Sequence, residues 1–132
     1  MPAEFETKSL SVEYDYLAPD SAEIRLLSQA AGGGICHCTL PPGAVSAPIL
    51  HRTVEEIWYF ISGEGEVWRK QGEHEETVPV RAGVSLSIPP LAAFQFRNTG
   101  QEPLCFIDVT MPPWPGTEEA LPTEGKWAPS RA

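Results

Sequence analysis

The chain has 132 residues, of which 42% are hydrophobic and 20% charged, with a formal net charge of −9. That length suits one domain around a single core, and nine Lys and Arg against eighteen Asp and Glu exclude the clustered positive charge that a nucleic-acid partner requires. No apolar run approaches the ~20 residues that a membrane-spanning helix needs, and the opening MPAEFETKSLSVEYDY has neither a basic start nor an apolar stretch, so no membrane partner and a cytoplasmic setting are expected.

Fourteen prolines and eleven glycines punctuate short apolar runs, the mark of many strands and turns rather than a helical bundle. Residues 1–29 are read as an N-terminal arm and strand, with a turn signal at APDS (18–21) and a short strand in EIRLLSQA, cut off by the glycines at 32–34. ICHCTL (35–40) alternates and stops at PPG (41–43), a strand followed by a turn. Cys36 and Cys38 are two apart and share one strand face, the pocket face if Leu40 is inward, and His37 then points the other way. With Cys105 they are expected to be free thiols.

EIWYFIS (56–62), GEG and EVWRK predict a hairpin, because two β-branched and aromatic runs flank a short glycine turn. QGEHEE (71–76) reads as a polar loop tip with His74 in solvent. TVPV, VSLSIPP, AFQFRN and LCFIDVTM continue the series to eight or nine short strands. Turn signals every 8–12 residues predict an all-β sandwich or barrel. Residues 113–132 lose the alternation, and their prolines and tryptophans predict an extended C-terminal arm.

Two segments carry a more specific pattern. In the first, Gly43 is followed by five residues, then Ile49, Leu50 and His51; Glu56 comes after four more residues and Gly63 after a further six. In the second, Gly83 is followed by five residues, then Pro89, Pro90, Leu91, two alanines, Phe94, three residues and Asn98. These resemble the two motifs of the cupin superfamily, G-x5-H-x-H-x3,4-E-x6-G and G-x5-P-x-G-x2-H-x3-N. Ile49 and Phe94 stand where the family has histidines, and Leu91 where it has glycine. The resemblance implies a small jelly-roll (cupin) β-barrel over residues 30–112 within a single 1–132 domain, and a homodimer. It also implies a divalent transition metal held by three histidines and a glutamate, of which this chain keeps the positions of His51 and Glu56.

Two readings of the pocket follow. In one, His51 and Glu56 hold a metal together with an improvised ligand such as Cys36 or Cys38. In the other, favoured by the loss of two ligand positions, no metal is resident, and His51 and Glu56 form a titratable pair in an apolar pocket lined by Ile49, Trp58, Phe60, Phe94, Phe96, Cys36 and Cys38. Trp58 and Phe60 follow Glu56 at two-residue steps and share its inward face, whereas Glu55, Gln95 and Arg97 face away. Such a pair suits proton-transfer chemistry on a small apolar or aromatic organic ligand, of isomerase, cyclase or lyase type, with an oxygenase if a metal is present. A non-catalytic binding or structural protein is the alternative.

Overall fold

A computed structural model describes residues 4–130. Residues 1–3 and 131–132, the tips of the expected N- and C-terminal segments, lie outside the described residues. Among these there are eleven strands: β1 (Tyr16–Leu17), β2 (Glu23–Gln29), β3 (Gly34–Leu40), β4 (Ile49–His51), β5 (Glu55–Ser62), β6 (Glu64–Gln71), β7 (His74–Arg81), β8 (Ser85–Ile88), β9 (Ala93–Asn98), β10 (Leu104–Met111) and β11 (Ala120–Pro122). A single 3₁₀ turn spans Thr117–Glu119. No helix among them is long and apolar enough to cross a membrane.

The strands form two antiparallel sheets, in the orders β1-β2-β3-β10-β5-β8 and β11-β4-β9-β6-β7. The inward faces of the two sheets supply one jelly-roll core. The sheets are not closed into one barrel, which corrects the closed form expected from sequence. Three of the four edge strands, β1, β8 and β11, have only two to four residues, too few to carry a ladder across to the facing sheet.

Strand β5 shows why the sequence folds this way. Glu56, Trp58 and Phe60 are buried while Glu55, Ile57, Tyr59 and Ile61 are exposed, a strict two-residue alternation that buries one face. The chain reverses into β6 at Gly63, where φ is +85° and a Cβ would come within 2.5 Å of the Pro103 carbonyl oxygen. Only glycine meets both conditions. QGEHEE is not a loop tip: β6 and β7 pair through Gln71 and His74, leaving a two-residue turn between them. His74 is exposed as expected.

Trp58, Phe60, Phe94, Phe96 and Phe106 are each at most 1% exposed. The Trp58 ring stacks on Phe106 at 4.2 Å and meets Phe94 and Phe96 edge-on at 5.5 and 5.2 Å. These rings pack against one another and fill the middle of the molecule. Phe60, Phe94 and Phe96 therefore belong to this solid core and not to a cavity wall, a correction to the expected lining. Phe106 is the missing partner: it brings a fifth ring from β10, whose register against β5 the sequence does not state.

The C-terminal segment is not a plain extended arm. β11 adds to the edge of β4, pairing Ala120 with His51 and Pro122 with Ile49. Further on, the backbone N–H groups of Lys126 and Trp127 donate to Gln95 Oε1, and Gln95 Nε2 donates to the carbonyls of Ser46 and Trp127. Gln95 does face away from the core, yet this segment buries it fully. His37 is similar, pointing outward as expected but only 7% exposed.

Glu119 ties the same segment to the loop before β5. Its carboxylate accepts from the backbone N–H of Thr53 and of Val54 and from the Thr53 hydroxyl. Burial works against the charge, but these hydrogen bonds hold the Glu119 carboxyl below the ordinary range. Glu119→Ala strands the amide donors and is expected to lower stability by about 1–3 kcal/mol, read as a shift of the urea midpoint at unchanged slope. Because the folded pKa is depressed, the wild-type advantage is present above the ordinary glutamate pKa and fades as pH falls through the folded value.

Candidate functional site

The inward face of the six-stranded sheet carries an unusual set of polar groups. Alternation along β10 buries Leu104, Phe106, Asp108 and Thr110. The ladder sets Asp108 opposite Cys36 on one side and Trp58 on the other, and Thr110 opposite Glu56. Cys36 and Cys38 turn their sulfurs to within 3.8 Å of each other. From the facing sheet, β4 contributes Ile49 and His51. Asp20 enters from the turn before β2, where its carboxylate accepts from the Ala22 N–H at 3.0 Å.

These groups surround a cavity of about 50 Å³, closed further by Tyr16 and Trp114. Of the residues expected to line it, Ile49, Trp58, Cys36 and Cys38 do so beside His51 and Glu56. Space of this order admits a few water molecules or a compound of few heavy atoms. No Lys or Arg lies on the wall, although three carboxyl groups do.

Burial sets the protonation states. It pulls His51 down to about 4, against the opposing pull of the Glu119 charge, so the imidazole is neutral at pH 7. Burial, then the Asp108 charge and a hydrogen bond to Asp108, pushes Glu56 well above the usual range. Burial pushes Asp108 up as well, while its hydrogen bond with Glu56 works in the opposite direction, so the two carboxyls titrate as one coupled pair. Burial raises Asp20 to about 6, and burial followed by the nearby thiols and Asp108 raises Tyr16 to about 12.

His51 Nδ1 stands 3.6 Å from Glu56 Oε1, just beyond hydrogen-bond length. Trp58 Nε1 donates to that same Glu56 oxygen at 3.3 Å. The His51 ring is held edge-on between Phe94 and Trp114, with centroids at 5.3 and 5.0 Å. Two buried polar atoms at the cavity have no hydrogen-bond partner: His51 Nδ1 and Asp108 Oδ1. Buried polar atoms are nearly always paired, so these two are the positions at which a bound molecule would be met.

Sequence reasoning missed Asp20, Asp108 and Trp114. Asp108 was within reach, because it alternates with Leu104 and Phe106 in LCFIDVTM and must share their inward face. Asp20 reads as a turn residue in APDS and Trp114 as part of the arm; only the folded chain brings them to the cavity.

Two facing antiparallel sheets with a polar pocket on the inner faces define a double-stranded β-helix protein. The cupin domain model, Cupin_2, matches residues 36–110, more than half of the chain. The chain belongs to the cupin family. An uncharacterized protein of Methanocaldococcus jannaschii, MJ1618, is 27% identical over 116 residues, which cover 81% of this chain and 90% of that protein. Among solved structures, an uncharacterized conserved protein with a double-stranded β-helix domain from Klebsiella pneumoniae has a TM-score of 0.68 at 23% identity, over 91% of this chain and all of its own. KdgF from Halomonas sp. has a TM-score of 0.64 at 18% identity, over 76% of this chain and 87% of its own. Oxalate decarboxylase from Bacillus subtilis has a TM-score of 0.61 at 22% identity, and this chain spans about a quarter of its length, 25% of that chain against 67% of this one. Likeness at these identities is likeness of fold.

The family's metal does not fit the corresponding residues here. Its four ligand positions fall on Ile49, His51, Glu56 and Phe94, and Ile49 and Phe94 are buried hydrocarbon with no lone pair to offer. His51 and Glu56 alone leave a first-row metal short of the three protein ligands usual in a catalytic site.

Proposed function

We propose that this cupin binds a small organic molecule between His51 and the Glu56–Asp108 pair and moves a proton on it. The observation that carries this reading is the pair of unpartnered buried atoms, His51 Nδ1 and Asp108 Oδ1, on the wall of one small cavity. A molecule that satisfies both carries a hydrogen-bond donor for Asp108 and a donor or acceptor for His51. The acidic wall disfavours an anion, and the Trp58, Phe106 and Trp114 rings favour a compound with an apolar side.

Within that arrangement the Glu56–Asp108 pair supplies the proton and the neutral His51 accepts it, the ligand lying beside His51 Nδ1 and Glu56 Oε1, which are 3.6 Å apart. Isomerisation, cyclisation and elimination are the reaction types that need only such an acid and base. A non-catalytic role is favoured by one observation, the aromatic core that fills most of the interior and leaves only about 50 Å³.

The test uses a panel of small hydroxy, keto and amino compounds. Hits are selected by thermal shift and then followed by NMR for uptake of solvent deuterium at carbon. Wild-type protein is expected to exchange a bound hit, and His51→Ala and Glu56→Gln to slow the exchange by about 10²–10⁴-fold while still binding it. Exchange that neither variant alters would sink the catalytic reading. Binding without exchange would leave the cavity a ligand site only.

A further inference from the structure

We infer that Cys36, Cys38 and Asp108 form a site for a thiophilic divalent metal of the zinc type, built from none of the four positions with which the cupin family holds its metal. The inference goes beyond the proton-transfer reading above and shares only Asp108 with it, whose carboxylate a bound metal would engage. One sulfur from each cysteine and one Asp108 oxygen all lie within 4.8 Å of one another. The three residues come from adjacent strands, with Asp108 directly opposite Cys36 in the β3–β10 ladder.

Three further features point to a cation. The first is the sulfur separation of 3.8 Å. Two thiolates at tetrahedral angles about a zinc ion, with Zn–S bonds of about 2.3 Å, stand about 3.8 Å apart. Residues two apart on a strand do not bring their side-chain ends this close by default, so both side chains lean inward over the same point. The second is Asp108 itself, 7% exposed, with no N–H or hydroxyl group donating to Oδ1. The third is charge. Asp20, Glu56 and Asp108 share this cavity with two thiols and no Lys or Arg, and a buried carboxylate without a cationic partner is costly.

The charge balance of loading is simple. Both thiols give up a proton to solvent, so the site passes from two neutral thiols and one carboxylate to two thiolates, one carboxylate and M²⁺, with its net charge still −1. Two thiolates and a carboxylate occupy three positions of a tetrahedron. A fourth position would be left to water or a small molecule, as zinc sites with three protein ligands allow. Thiolate ligands select zinc over magnesium, calcium and manganese.

The experiment uses the whole chain, reduced and stripped of metal, titrated with Co²⁺ as the optical probe and then with Zn²⁺ in competition. One Co²⁺ per chain is expected, with a thiolate-to-cobalt charge-transfer band, intense tetrahedral bands in the visible, release of two protons, and displacement by Zn²⁺. Cys38→Ser and Asp108→Asn should weaken binding by more than the roughly 10–100-fold that loss of an outer-shell partner costs. Cys105→Ser should leave the spectrum unchanged, because its thiol lies on the outer side of the sheet beside Thr39. X-ray absorption of the zinc-loaded wild type, which needs no variant to fold, should count two sulfur neighbours at about 2.3 Å. A pale octahedral cobalt spectrum, a charge-transfer band undiminished in Cys38→Ser, or zinc bound without sulfur would each overturn the site.

Discussion

Trp58→Ala is expected to lower stability by about 3–5 kcal/mol, the usual cost of truncating a large buried aromatic, and the melting temperature by roughly 10–20 °C. The ring is 1% exposed and touches four others: it stacks on Phe106 at 4.2 Å and meets Phe96, Phe94 and Phe60 at 5.2, 5.5 and 6.1 Å. These neighbours belong to different strands of both sheets, so the void cannot close by a local shift. The substitution also removes the indole N–H that donates to Glu56, leaving that carboxyl with one partner fewer in a dry setting. Tyr59→Ala, at the next position but half exposed, is the control and should stay within about 0.5 kcal/mol of wild type. Matched unfolding curves decide the matter: a loss below about 1.5 kcal/mol for Trp58→Ala would mean that the sheets are not held together by this aromatic cluster.

Asp20→Asn should stabilise the metal-free protein at alkaline pH and do little in acid. Burial raises the Asp20 carboxyl from 3.8 to about 6, so between those values the folded chain binds more protons than the unfolded one. Its stability is then fully present below pH 3.8 and falls as pH rises through about 6. Each pKa unit corresponds to about 1.4 kcal/mol, which makes the wild-type deficit at pH 8 roughly 2–3 kcal/mol. Asparagine keeps the oxygen that accepts from the Ala22 N–H and cannot ionise. The variant's melting temperature should exceed that of wild type by several degrees at pH 8, with the gap closing toward pH 4. A gap that stays constant with pH would show that Asp20 does not ionise in a confined setting.

Much of the fold was legible because its code is local. Alternation in EEIWYFIS places Glu56, Trp58 and Phe60 inside and Glu55 outside, as found. The motif spacing from Gly43 to Gly63 and from Gly83 to Asn98 marks the cupin frame, and the family match covers it. What the sequence could not state is which strands lie side by side. Nothing in ICHCTL or LCFIDVTM says that Cys36 sits across from Asp108, yet that register makes the polar wall. The aromatic residues erred in the same way: Phe60, Phe94 and Phe96 do point inward, but pointing inward leaves open whether a ring lines a space or fills it. Phe106, from a strand 46 residues beyond Phe60, fills it. Asp20 and Trp114 sit in turn-like segments whose final positions depend on the rest of the chain.

The tie between β4 and β11 bears on how the protein is made. His51 lies on a strand of three residues whose outer edge is covered only by residues 120–122, and the loop just after it is fastened by Glu119. A growing chain therefore presents His51 and Glu56 well before the residues that lock the first of them in place. The pocket wall is complete only once the segment from Glu119 onward has folded back across nearly 70 residues of sequence. Until then the outer edge of β4 lacks its neighbouring strand.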